Sequence, residues 1–353
     1  MSRPHSAFLA LFLLLPLQES LPAAEVEVTN LRRAFHNGEH NAFTDLIRWK
    51  GKFWLTFRSC PDGHMVFPTS SILILSSVDT QEWREEHRFS VKHRDVRDPH
   101  FLIFKEQLFV YTGTWWSGEG ELPREQYDLN KHLGYAVHSA DGENWSAPTQ
   151  LEGTYGHYIW RAAAHDGKAY LCGRRKARYT DQSEVTEAEP RLVESAMLES
   201  DDGLNWKFHS LFQPARGDET AFLFENDGAL LAVSRAGSEP AELIRASPPW
   251  REKTRVNLPE YIGGPLLAGW GTDTFVGGRR NTDAGPKTVL YWLKGEVLTP
   301  FAELPSGGDN SYPGFVELND GRGLVSWYSS HEKDGNGKTI TAIYLAELVR
   351  KKP

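Results

Sequence analysis

A carboxylate opens one apolar segment of the chain and a guanidinium closes it. The segment is ETAFLFENDGALLAVSRAG, and the two charged residues are Glu219 and Arg235. Its middle, Asn226-Asp227-Gly228, is a turn sequence between two apolar runs, the pattern of a β-hairpin. A hairpin returns its second end beside its first, so the acid and the guanidinium share one end of the unit. Five more stretches have the same grammar of strand, polar turn and aromatic-rich strand, starting at Asn41, Asp98, Tyr158, Gly263 and Ser311. Their first strands open with Asn41 and Asp45, Asp98 and His100, Tyr158 and Arg161, and Tyr312. Second strands end at Arg58, Tyr111, Arg174 and Arg279. Guanidiniums gathered on one rim repel one another unless an anion lies among them, and their planar forks suit a carboxylate, sulfate or phosphate. The alternative for each Arg taken singly is a rim charge paired with a nearby Asp or Glu.

The elements that must position these residues show a repeat. SVDTQEW, SADGENW and SDDGLNW all fit S-x-D-x-x-x-W, and their serines, 77, 139 and 200, lie 62 and 61 residues apart. A fixed period of this size marks repeated supersecondary units. Asp and Gly suit a turn, and the Trp packs beneath it, so these motifs read as structural. Six hairpins, each followed by further strand candidates, indicate an all-β, six-bladed β-propeller of four-stranded antiparallel blades. A five-bladed ring is the alternative, because later units lack the Trp motif. VEVTNLRRAF, from Val26 to Phe35, is placed to pair with the last blade and close the ring. In a propeller the first strand of each blade lines the axis, so the hairpin ends above converge on one central mouth. RYTDQSEVTEAEPRLVES is the most loop-like stretch and lies inside the third unit.

Composition narrows the partner. Of 353 residues, 12 are Trp, a residue whose face packs on the C–H face of a sugar ring. The net charge of −8 argues against nucleic acid or an anionic membrane surface as partner. The start of the chain reads as a secretory leader: Arg3 gives the basic region, Ala7 to Leu17 the apolar run, and Leu21-Pro-Ala-Ala24 the cleavage site. The expectation is a leader over 1–24, one domain over 25–353, and a secreted or periplasmic product without stable membrane association. A retained anchor is the alternative, although the apolar run is shorter than the roughly 20 residues a spanning helix needs. Cys60 and Cys172 read as buried or semi-buried thiols, with a disulfide between them as the lesser reading.

These residues together resemble the sialidase superfamily of glycoside hydrolases over most of the mature chain. The S-x-D-x-x-x-W turns are similar to its Asp boxes, each one residue shorter. The Glu219–Arg235 hairpin resembles the family segment carrying a Glu and then an Arg. VGGRRN, with Arg279, resembles the segment carrying a further Arg, and DNSYPGFVELNDGRG the segment carrying a nucleophilic Tyr. The resemblance implies Tyr312 as nucleophile, Glu219 as its base, and Arg235 and Arg279 as ligands of an anionic sugar. Arg280 is the neighbouring choice if the register slips by one. A phenol with a free pKa near 10 needs such a base, and a Tyr nucleophile is a recognised exception among glycosidases. The family's first Arg is missing, since HNAFTDL stands where it belongs, and Arg58 is the candidate replacement. For the acid/base the first choice is Asp62 in CPDGHM and the second Asp98 in RDPHF. Pro-Asp-Gly is also an ordinary turn sequence.

Arg161, Arg174, His100 and Trp160 complete the substrate-binding candidates, with Trp115, Trp116, His157 and Tyr158 shaping the subsite. The histidines lack metal-ligand spacing, so no catalytic metal and no cofactor is expected. A structural calcium ion stays open. The reading is an exo-glycosidase with retaining chemistry on a terminal acidic sugar. Two readings compete: a uronic-acid polysaccharide lyase using His64, His100 or His157, and a non-catalytic carbohydrate- or protein-binding propeller.

Overall fold

The computed structural model describes residues 25–176, 193–319 and 321–351. The leader and most of the loop-like stretch of the third unit therefore lie outside the described residues. Within them the chain folds into six four-stranded antiparallel sheets in sequence order around one axis, a six-bladed β-propeller. The five-bladed alternative is set aside. Inner strands of blades one to six are His40–Trp49, Arg94–Phe104, Tyr158–His165, Thr220–Phe224, Gly263–Trp270 and Asn310–Glu317. Each expected hairpin thus begins within four residues of its observed strand.

The ring closes without a covalent link. Val26–Phe35 forms the outer strand of blade six, antiparallel to Thr339–Arg350, with Val26 opposite Arg350 and Phe35 opposite Ile343. Blade six thus draws strands from both ends of the described chain, so separating the ends breaks a whole ladder of hydrogen bonds.

The inner strands are covered on both faces by neighbouring blades. Trp54, Trp160, Trp270 and Trp327 are fully buried in these blade-to-blade cores, each contributing a large apolar area. The repeated turns join the third and fourth strands of blades one to three. Ser77, Ser139 and Ser200 accept the amide of the third residue on, at 2.9, 2.8 and 2.8 Å. Asp79, Asp141 and Asp202 each cap two further amides. The Asn144 side chain and these amides hold Asp141 below the usual carboxylate range. By strand direction these turns lie on the face opposite the hairpin ends, so their work is to fasten blades.

Candidate active site

The inner strands are not regular where they approach the mouth. Register breaks lie between Ala42 and Asp45, Arg97 and His100, Ile159 and Ala162, Gly263 and Leu266, and Ser311 and Gly314. Within four of these bulges a residue is left-handed: Phe43 (φ 63°), Asp98 (φ 53°), Gly264 (φ 60°) and Tyr312 (φ 53°). A bulge re-aims a side chain, and Phe43, Asp98 and Tyr312 all line one cavity of about 410 Å³. Holding a non-glycine residue in this region costs about 1–3 kcal/mol, so the surrounding sheet over-determines it.

Tyr312 donates its phenolic hydrogen to Glu219 Oε1 at 2.6 Å. The second oxygen, Oε2, accepts the Gly264 amide at 2.9 Å and faces Arg235 Nη1 at 3.4 Å. Gly264 is required here: a Cβ on it would stand 2.6–2.8 Å from three Tyr312 ring atoms. Burial, then the charges of Glu219 and Asp98, push the Tyr312 phenol well above its ordinary value. At rest Tyr312 is therefore a neutral phenol.

Asp98 faces the same cavity. Its Oδ2 accepts the Tyr158 hydroxyl, and its Oδ1 is buried with no hydrogen-bond partner. Burial, then the charge of Glu219, push its acid well above the usual carboxylate range. A protonated carboxyl with one unpartnered oxygen can donate to a bound hydroxyl.

Five guanidiniums line the cavity: Arg97, Arg124, Arg174, Arg235 and Arg279. Arg235 is held by Asp218 and Glu219, both at 3.4 Å. Arg279 donates to the Asn310 carbonyl and lies 5.6 Å from the Tyr312 ring centroid. Arg174 faces in from blade three, and its Nε is buried without a hydrogen-bond partner.

Several expected residues lie elsewhere. Arg58 is fully buried beneath the mouth, bound through Nε and Nη2 to Asp95 at 2.9 and 2.8 Å and through Nη1 to the Gly63 carbonyl. It clamps the loop that carries His64 and Met65 rather than lining the cavity. Arg161 is a cross-ring bolt, meeting Asp45 and the carbonyls of Pro265 and Pro313. Trp160 lies behind Tyr312, 5.3 Å from its ring, and His100 packs on Trp160. Burial, then Arg161, bring His100 down to about 4, so it is neutral. Asp62 is exposed, bonds Thr69, and borders a separate depression with His36 and Thr341. Of the two acid/base candidates, Asp98 alone lines the cavity. Tyr111 is not on the rim, because its hydroxyl reaches the Gly203 carbonyl in the opposite-face turn. Cys60 and Cys172 are buried free thiols.

Arg97 and Arg124 are the cavity guanidiniums that sequence reasoning missed. In a regular strand residues 97 and 98 would point to opposite faces. The bulge between Arg97 and His100 lets both reach the mouth. Arg97 shares Asp95 with Arg58 and donates to the His64 and Met65 carbonyls at 3.1 and 3.0 Å. Asp309 was missed as well. Its Oδ1 takes Tyr328 and Arg279 at 2.8 and 3.2 Å, and its Oδ2 takes His40 and His64 at 3.0 and 2.7 Å. Burial alone would raise the Asp309 acid, but the His40 and His64 hydrogen bonds and Arg279 hold it well below the carboxylate range. A guanidinium and a phenol thus meet one oxygen of this carboxylate and two imidazoles the other.

No family model and no curated protein matches the sequence. Solved structures do match the fold. The phage phi92 endosialidase superimposes with a TM-score of 0.66 at 9% identity, over 92% of this chain and 70% of that one. Trypanosoma rangeli sialidase in complex with the inhibitor DANA gives 0.65 at 11% identity, over 92% of this chain. This chain spans 60% of that enzyme's length. A mutant of NanB sialidase from Streptococcus pneumoniae gives 0.64 at 10% identity, over 90% and 70% of the two chains. The propeller built here has the sialidase-type fold.

Proposed function

We propose that the chain is an exported exo-glycosidase of the sialidase type, releasing a terminal acidic sugar from a glycan with retention of configuration. One observation carries the reading: a buried tyrosine hydroxyl 2.6 Å from a carboxylate, both facing a guanidinium-lined cavity. Tyr312 attacks the anomeric carbon while Glu219 takes its proton, and the glycosyl–tyrosine formed is then opened by water. A neutral phenol suits an anionic sugar, because a carboxylate nucleophile would be repelled by it. Arg235 and Arg279 flank the nucleophile and bind the sugar's anion. Arg97 supports the opposite wall, in place of the first Arg that the sequence lacks. Asp98, buried and protonated, donates to a hydroxyl of the sugar ring. Arg174 stands ready for a more distant polar or anionic group of the glycan.

Release of fluorophore from a fluorogenic sialoside tests the reading. Wild-type protein should release it, and Tyr312→Phe and Glu219→Ala should not while still melting cooperatively. Folded wild-type protein that releases nothing from any acidic glycoside sinks it, and ultraviolet-absorbing unsaturated products would favour a lyase instead. Glu25 as the N-terminus of protein recovered outside an expressing bacterium would support the leader.

A further inference from the structure

The nucleophile and its base leave one proton unassigned, the one that the departing alcohol needs. Asp98 is poorly placed to give it. Asp98 is 4% exposed and tied to Tyr158, whereas the leaving group must lie toward solvent. At the mouth of the cavity stands His64, whose side chain is 46% exposed. Its Nδ1 meets Asp309 Oδ2 at 2.7 Å. That carboxylate stays ionised, so Nδ1 carries the hydrogen and Nε2 is the nitrogen free for exchange. Among the described residues no group hydrogen-bonds His64 Nε2. The Phe43 ring packs on both His64 and Tyr312, with centroids 5.8 and 4.9 Å away. One aromatic ring thus contacts both the imidazole and the Tyr312 phenol.

We propose that His64, oriented by Asp309, is the general acid and base of the reaction. The proposal rests on the sialidase-type reading of the site. In the first half, the bond from the anomeric carbon to the leaving oxygen breaks with its electron pair going to oxygen. Protonated His64 gives that oxygen its Nε2 hydrogen. Tyr312 bonds to the carbon and its phenolic proton goes to Glu219. In the second half, water gives a proton to neutral His64 as its oxygen bonds the carbon, and the departing Tyr312 oxygen recovers the proton from Glu219. Asp309 is a positioning residue. It holds the imidazole tautomer, as a carboxylate does for histidine in other proton-transfer sites, and is itself fixed by Arg279, Tyr328 and His40. The other charges near His64 are Arg97, bonded to its carbonyl, and Arg58, bonded to the neighbouring Gly63 and Met65 carbonyls. Neither occupies its ring.

The test compares two sialosides, one with an alkyl sugar as leaving group and one with an activated aryl group that departs without a proton. In His64→Gln, kcat/KM on the alkyl substrate should fall about a hundred- to ten-thousand-fold, the usual worth of a positioned acid. The fall on the aryl substrate should be at least tenfold smaller. Equal losses on both substrates, with wild type active, overturn the proposal alone. Wild type inactive on both overturns the reading of the site and the role of His64 with it. Nitrogen-15 shifts of wild-type His64 give an answer independent of turnover: hydrogen on Nδ1 supports the dyad, and hydrogen on Nε2 alone at high pH overturns it. One bound equivalent of zinc, with activity lost to a chelator, also overturns it, assigning His40, His64 and Asp309 to a metal.

Discussion

Asp95→Asn separates structural guanidiniums from binding ones. Asp95 is fully buried and accepts from Arg58 Nε and Nη2 at 2.9 and 2.8 Å, from Arg97 Nη2 at 2.6 Å, and from the Phe67 amide at 2.9 Å. Burial alone would raise its acid, but Arg97 and then Arg58 outweigh it and hold it below the usual range. A depressed carboxylate stabilises the fold at pH above its unfolded value, near 4, and loses that contribution as pH falls through the folded value. An asparagine leaves Arg58, itself fully buried, without a counter-charge. Breaking one partner of a buried pair costs about 3–5 kcal/mol. At about 2 °C per kcal/mol, the low end appropriate to a large domain, Tm should drop about 6–10 °C at pH 7. Scanning calorimetry measures this, and the loss should shrink below pH 4, where wild type loses the same contribution. The loop bearing His64 and Met65 hangs on the same guanidiniums, so kcat/KM should fall as well. A variant melting within 2 °C of wild type at pH 7, a margin small against the cost of an orphaned buried charge, would refute the reasoning and restore Arg58 as a candidate anion ligand.

Asp98→Asn tests the protonated carboxyl. Its raised acid gives stability that is complete below about pH 4 and is lost as pH rises toward the folded value, by up to about 1.4 kcal/mol per pH unit. Urea unfolding between pH 4.5 and 6.5 should therefore show Asn gaining on Asp with rising pH, and parallel curves would contradict it. Gly264→Ala drives a methyl group into the Tyr312 ring at a positive φ. Turnover should fall about a hundredfold, the cost of a misplaced reacting group, and the Tyr312–Glu219 hydrogen bond should open in a structure of the variant. Arg279→Met should lower kcat/KM on an acidic glycoside about 10- to 150-fold, the loss of one charged hydrogen bond. The methyl ester of the same substrate should be affected much less.

The fold was legible because its signals are local. Turn residues at Ser77, Ser139 and Ser200 repeat at one period, and each hairpin announces its own strands. The closing strand was legible too, since Val26–Phe35 had no hairpin partner of its own. The site was only half legible. Glu219, Arg235, Arg279 and Tyr312 lie where a strand end meets the mouth, and strand direction suffices to place them. Arg97 and Asp98 reach the mouth together only because a bulge breaks the alternation, and the signal for it in RDPHF is Pro99, a residue that strands admit at bulges. Arg58 illustrates the converse. Strand direction carries it to the mouth, but Asp95, 37 residues further on, turns it inward. Asp309 sits just before the strand that bears Tyr312, and its importance comes from four partners on three separate blades.

The most direct measurement is the mass of the protein after incubation with 2,3-difluorosialic acid activated at the anomeric carbon. Fluorine beside that carbon slows opening of the glycosyl–enzyme, so the intermediate accumulates. One sugar should add, proteolysis should place it on the peptide holding Tyr312, and Tyr312→Phe should remain unlabelled. A sugar carried by any other residue, or turnover of the sialoside undiminished in Tyr312→Phe, would contradict Tyr312 as the nucleophile.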